Sequence, residues 1–151
     1  MKTEKIQFST LVNATPEKVY RTMLDEKTYR DWTAVFNPTS HYKGSWEKGT
    51  KILFLGTDKD GNQGGMVSRI AENVPNTFVS IEHYGVLKGN EEVTSGPEVD
   101  SWAGAHENYS FKDVGGKTEL LVEMDSAEEW KSYFEEIWPK ALEKLKAMCE
   151  S

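Results

Sequence analysis

The last stretch of the chain, residues 126–149, constrains the fold most, because its apolar residues return at helical spacing over its whole length. Trp130, Phe134, Ile137, Ala141, Leu145 and Met148 fall on one stripe, with Tyr133, Trp138 and Leu142 at its margins. The far side carries Glu128, Glu129, Glu135, Glu136, Glu143 and Lys146. Ser126 followed by Glu129 matches a capping box, in which side chains and free backbone amides satisfy one another at a helix start. Pro139 falls inside the pattern. It removes an amide donor and crowds the preceding turn, at about 3 kcal/mol, so the spacing predicts a bent helix. Such a helix, at about 1.5 Å per residue, is as long as the strands that precede it, and the simplest architecture is a curved antiparallel sheet gripping it.

The strands are written by alternation. Ile6, Phe8, Thr10 and Val12 alternate with Lys5, Gln7, Ser9 and Leu11, the pattern of a half-buried strand. The period then changes. Thr15 is a good N-cap, Pro16 suits the first helical position, and Val19, Tyr20, Met23 and Leu24 return at helical spacing. A second short helix is expected over residues 28–32, ended by Asn37-Pro38. Six further strands are expected over residues 42–45, 51–56, 66–74, 78–87, 102–112 and 117–124, separated by turn residues. Gly115-Gly116 suits the tight hairpin between the last two. The fold class is therefore α+β, with seven strands and three helices. Residues 88–101 lack periodicity and are rich in Gly, Glu, Asn and Pro, so they read as a long loop, either a lid beside a cavity or a mobile hairpin tip.

A chain of 151 residues is long enough for one domain with one core. Its net charge of -7, with acids spread along the chain and no basic stripe, excludes nucleic acid and disfavours an anionic membrane surface. No apolar run is long enough to cross a bilayer. The single Cys149 excludes an internal disulfide and a thiolate metal cluster, and residues 1–5 are charged and lack an apolar signal segment, so a cytoplasmic protein is expected. No phosphate loop, dinucleotide fingerprint or Gly-x-Ser-x-Gly is present, and no cofactor is expected.

The order of strand, two short helices, six antiparallel strands and long terminal helix resembles the helix-grip fold of the START-like or SRPBCC superfamily. Ile6 to Val12 followed by Asn13-Ala14-Thr15-Pro16-Glu17-Lys18-Val19-Tyr20 is similar to the entry motif of the branch related to the activator of the heat-shock-protein ATPase. Tyr29-Arg30-Asp31-Trp32, Gly44-Ser45-Trp46-Glu47-Lys48-Gly49 and Gly116-Lys117-Thr118-Glu119-Leu120 resemble that branch as well. The chain departs from it at Glu129-Trp130, where relatives usually carry Gly-Trp, and at Pro139. The resemblance implies a curved seven-stranded antiparallel sheet wrapped around the C-terminal helix, with a ligand-holding pocket between them. It implies no single activity, because the superfamily includes lipid carriers, aromatase/cyclases, ring-hydroxylase domains and co-chaperones.

Alternation also identifies the face that meets the helix. On the last strand it is Thr118, Leu120, Val122 and Met124, and on the strand before it Glu107, Tyr109 and Phe111. Glu107 is then an inward carboxylate, which must be paired, hydrated or protonated; it either forms a structural pair or acts on a ligand as a polar anchor or base. Val79, Ile81, His83 and Gly85 share one side of their strand, so His83 faces the same interior. His41, His83 and His106 stand in no ligand spacing, and no metal site is expected. His106 shares the opposite face with Trp102, Asn108 and Ser110. The aromatic residues expected near a pocket are Trp32, Phe54, Trp102, Tyr109, Phe134 and Trp138. With His83 and Glu107 they form the candidate binding set for a small hydrophobic or amphipathic molecule, such as a lipid, polyketide or flavonoid. An alternative is a cyclase or hydrolase in which Glu107, His83 or Tyr109 moves protons. A further one is a domain that contacts a chaperone through its surface. A monomer or weak dimer is expected.

Overall fold

The computed structural model describes residues 3–151. Strand β1 (Thr3–Val12) leads into α1 (Pro16–Leu24), α2 (Glu26–Trp32) and a turn of 3-10 helix (Thr33–Val35). Then come β2 (His41–Gly44), β3 (Lys51–Thr57), β4 (Gln63–Val74), β5 (Phe78–Lys88), β6 (Glu91–Val93), α3 (Pro97–Asp100), β7 (Ala105–Val114), β8 (Lys117–Ala127) and α4 (Glu128–Glu150). The strands form one antiparallel sheet in the order β1-β8-β7-β5-β4-β3-β2, with β6 added to β5.

Local chemistry accounts for the joints. The Thr15 hydroxyl accepts from the Lys18 amide at 3.3 Å and caps α1, with Pro16 at its first position. Gly115 and Gly116 both take positive φ, 62° and 89°, so the β7–β8 hairpin closes through two residues between Val114 and Lys117. Gly65 answers to packing instead. A Cβ there would lie 1.8 Å from the Phe54 carbonyl oxygen, so only glycine lets β3 and β4 approach at this point. Two bulges in the β4–β5 ladder, at Val67/Ser68 and Ile70/Glu72, break the register on either side of Ser68 to Ile70.

The inner face is the expected one. Thr118, Leu120, Val122 and Met124 of β8, Tyr109 and Phe111 of β7, and Val79 and Ile81 of β5 are all buried, and the apolar ones join a single core with α1, α2 and α4. On α4 the buried residues are Trp138, Ala141, Leu142, Leu145 and Cys149. Trp138 and Leu142 therefore lie at the centre of the stripe rather than its margin, whereas Trp130, at its expected head, is 54% exposed. The helix is uninterrupted at Pro139, which faces solvent, where water can hydrate the carbonyl left without its amide donor.

Two expectations are corrected. The capping box does not form: Ser126 pairs with Glu4 and Ala127 with Thr3 in the β1–β8 ladder, so the strand runs through the expected cap and Ala127 occupies the N-cap without a side-chain bond. Ser126 is buried, and its hydroxyl donates to the Ala127 carbonyl at 2.9 Å. Ladder bonds and burial outweigh a cap at the surface. Residues 88–101 are likewise more than a loop. They hold β6, paired with the end of β5, and α3, which buries Val99 completely. Leu55, Val67, Leu87 and Val99 are buried outside the main core, and the segment is tied down by Lys88 to Glu98 at 2.5 Å and Lys51 to Glu92 at 2.6 Å. Among the described residues the sheet thus has eight strands.

Candidate functional site

The interior of the sheet carries a continuous chain of polar side chains. The ladder sets Ser68 of β4 opposite His83 of β5, and Glu107 and Tyr109 of β7 opposite Ile81 and Val79. The Ser68 Oγ lies 2.6 Å from His83 Nδ1, and His83 Nε2 lies 3.0 Å from Glu107 Oε1. The Tyr109 hydroxyl donates to the other carboxylate oxygen, Glu107 Oε2. Ser68 is completely buried, and its hydroxyl is satisfied by the contact with Nδ1. A carboxylate only accepts, so His83 Nε2 donates to Glu107. One carboxylate therefore accepts from both neighbours. The side chains of His83 and Glu107 nevertheless keep 13% and 14% of their surface exposed.

Aromatic rings surround this chain. Phe54 packs edge-on against the His83 ring at 5.9 Å. Tyr29 lies 6.2 Å from Phe54, 5.0 Å from Tyr42 and 6.4 Å from Trp46. On the helix side Trp138 packs against Tyr109 at 6.4 Å, Trp32 at 5.9 Å, Phe36 at 5.1 Å and Phe8 at 6.2 Å. Burial pushes the phenols of Tyr29 and Tyr109 well above the ordinary tyrosine range, and the negative charge of Glu107 pushes both further. Both stay neutral donors at physiological pH.

Two polar atoms at the aromatic walls have no partner. Among the described residues the indole N–H groups of Trp46 and Trp138 are buried without an acceptor, and Trp138 as a whole is only 3% exposed. An unmade hydrogen bond on a buried donor costs about 1–3 kcal/mol. A cleft of about 600 Å³ opens at the ends of β3, β4 and β5, between the 37–40 segment and residues 62–65, and Phe54 and Ser40 line it. On the opposite face of the sheet Lys5, Ser80, His106, Asn108, Glu123 and Asp125 line a polar hollow of about 280 Å³. No described group of three or more His, Cys, Asp or Glu side chains is placed to hold a metal ion.

The structure brings His83, Glu107, Tyr109, Phe54 and Trp138 together. Trp32 stands behind them, its indole donating to the Met23 carbonyl at 3.0 Å. Trp102 and Phe134 lie apart from the polar chain. Trp102 lies between α3 and β7 rather than in a strand, and its indole donates to the Glu98 carbonyl at 2.8 Å. Phe134 is half-buried and clusters with the exposed Trp130 and Tyr133 at 6.4 and 5.5 Å. Sequence reasoning missed Ser68, Tyr29, Tyr42 and Trp46. Ser68 lies two residues before the buried Ile70 on the same face of β4, so alternation carried the signal for its inward direction.

The antiparallel sheet around a long C-terminal helix, with two short helices after β1 and a polar chain on its inner wall, is the SRPBCC or START-like class of fold. Similar solved structures include a protein from Cytophaga hutchinsonii, at 18% identity, a TM-score of 0.74 and coverage of 99% of this chain and 97% of that one. The Aha1 dimer from Colwellia psychrerythraea is similar at 19% identity, a TM-score of 0.72 and coverage of 97% and 96%. CalU16 from Micromonospora echinospora is similar at 15% identity, a TM-score of 0.67 and coverage of 97% and 74%. At these identities the likeness is one of fold. No match was found among curated proteins. The family model described as activator of Hsp90 ATPase homolog 1-like protein matches residues 13–150, and the chain belongs to that family.

Proposed function

We propose that this protein holds a small hydrophobic or amphipathic molecule against the inner wall of its sheet without transforming it. The observation that carries the reading is the His83–Glu107–Tyr109 chain, polar, partly reachable and enclosed by aromatic rings. The partnerless indole N–H of Trp138 adds a donor that an oxygen of the ligand would satisfy. Family membership supports a ligand-binding or chaperone-associated domain. The test is a proton-nitrogen correlation spectrum titrated with flavonoids, quinones, fatty acids and phospholipids. Saturable shifts at the indole signals of Trp46 and Trp138 are expected, and a spectrum unmoved by every member would overturn the reading.

A second reading has its own support. Ser68, His83 and Glu107 stand in the order hydroxyl, imidazole, carboxylate, which suits proton transfer. Against it, Ser68 is completely buried in a strand whose partners on both sides are laddered, so its oxygen is closed to a substrate. Glu107→Gln separates the two: retained binding with loss of an assayed turnover would favour the enzyme. A surface partner is the third reading. It draws on the family and on the exposed Trp130 and Tyr133, and the Colwellia relative is described as a dimer. Sedimentation of the wild type beside Trp130→Ala tests it.

A further inference from the structure

The outer face of the sheet holds a second polar arrangement. Val79 and Ile81 point into the core, so Ser80 between them points outward, as do His106 and Asn108 on either side of Glu107. The ladders set Ser80 of β5, Asn108 of β7, Glu123 of β8 and Gln7 of β1 in one row, and Asp125 and Lys5, with His106, in the next. Two residues apart along the strands, the rows stand about 6.7 Å from each other. Between them lies the hollow of about 280 Å³ lined by Lys5, Ser80, His106, Asn108, Glu123 and Asp125. Its one other lining residue, Met124, packs in the core on the far side, so no apolar side chain faces the hollow. Hydrogen bonds here are left unmade. Ser80 is only 7% exposed, yet its hydroxyl has no hydrogen-bond partner among the described residues. Asn108 Oδ1 is buried beside it without a donor. A half-turn of the Asn108 amide exchanges Oδ1 with Nδ2, so this side chain presents either an acceptor or a donor. Glu123 Oε2 accepts from Gln7 Nε2 at 3.1 Å and Asp125 Oδ2 from the His106 amide at 3.0 Å, which leaves the second oxygen of each carboxylate without a donor among the described residues. A buried polar group left unpaired is uncommon and costs stability, so it marks a place where a further molecule completes the bond.

We propose that this hollow binds a neutral saccharide, whose hydroxyls span the two rows. Lys5, the Ser80 hydroxyl and the imidazole of His106, which carries an N–H in either tautomer, offer donors, whereas Glu123 and Asp125 only accept. The ligand must therefore donate and accept over a short span, which neighbouring hydroxyls do and a charged group does not. An ammonium donates only and meets Lys5 as a like charge. A carboxylate or phosphate accepts only and meets Glu123 and Asp125 as like charges. A lipid chain or flat aromatic ring would find no apolar side chain to cover it. The hollow lies across the sheet from Trp138, so binding there is independent of a ligand on the inner wall.

The test is a proton-nitrogen correlation spectrum of the full chain titrated with glucose, galactose and mannose, and then with the 2-amino and 6-carboxylate counterparts of each, which keep the ring and add a positive or a negative charge. Saturable shifts at the amides of Ser80, His106, Asn108, Glu123 and Asp125 are expected from at least one neutral sugar, with a Kd of about 1 mM. Its charged counterparts are expected to bind about fivefold more weakly. Ser80→Ala is expected to weaken binding by about fivefold at an unchanged urea midpoint, since no described residue loses a bond with the hydroxyl, and Asn108→Leu to abolish it. The wild-type ranking decides the matter if either variant fails to fold. Silence from every neutral sugar at about 100 mM, the mark of a hollow filled by water alone, overturns the proposal. So does a charged counterpart that binds as tightly as the neutral sugar, or an affinity unmoved by Ser80→Ala. Shifts confined to the indoles of Trp46 and Trp138 would place the sugar on the inner wall and overturn it as well.

Discussion

Glu107 shows how much one residue determines here. A carboxylate on an apolar face is tolerated because two donors converge on it, one from the neighbouring strand and one from its own. Tyr109→Phe removes one of those donors and leaves Glu107 Oε2 unsatisfied at the same burial. The expected loss is about 1–3 kcal/mol, read as a lowered urea midpoint at unchanged slope. That Glu107 and His83 point inward was legible from strand alternation. Their union with Ser68 was not, because the register shift at Val67/Ser68 depends on how two strands pair.

At the scale of the element, α4 carries both a success and a correction. Its existence and extent follow from helical spacing, but which side is most buried depends on how β1, α1 and α2 meet it. Trp138, marginal by periodicity, became central because Trp32, Phe36, Phe8 and Tyr109 all converge on it. Pro139 sits on the exposed side of this helix. Pro139→Ala restores an amide donor and is expected to stabilise by about 1–2 kcal/mol after the greater freedom of the unfolded chain is deducted. Differential scanning calorimetry reads this as a raised melting temperature, and a lowered one would mean that the packing requires the proline. The failed capping box belongs to the same scale, since Ser126 and Glu129 satisfy the motif only if the preceding strand stops short of them, and pairing with β1 carries it past.

Across the whole molecule, the buried phenols tie stability to pH. Burial is the largest cause of the raised values of Tyr29, Tyr42 and Tyr109, all above the ordinary 10.0, and Tyr42 contributes least because much of it is wet. The unfolded chain releases these protons near the ordinary value while the folded chain holds them. Their contribution is therefore complete below pH 10.0 and is lost as pH rises above it. Urea midpoints across the alkaline range are expected to fall steeply there, with a further rise in phenolate absorbance on unfolding as the buried phenols are released. Midpoints that stay level across that range would contradict this.

By itself the sequence determined the α+β class, the strand that opens the chain, the Gly115-Gly116 hairpin, the long terminal helix and the inward set on β7, on β8 and on β5 as far as His83, because period and turn chemistry act over a few neighbouring residues; Gly85, expected on the same side, is turned by the bulge at Tyr84 to the face of Val67. Tertiary structure decided the eighth strand, the end of β8, the rotation of α4 and the company of Glu107. Each of these depends on pairing between residues far apart in the chain. Ser68 meets His83, and Tyr29 reaches the aromatic wall around Glu107, only after the sheet has curved and the helices have closed over it. Local spacing carries no record of that closure, since it is set by bulges, by glycines such as Gly65 that admit close backbone approach, and by competition among buried surfaces for the same space.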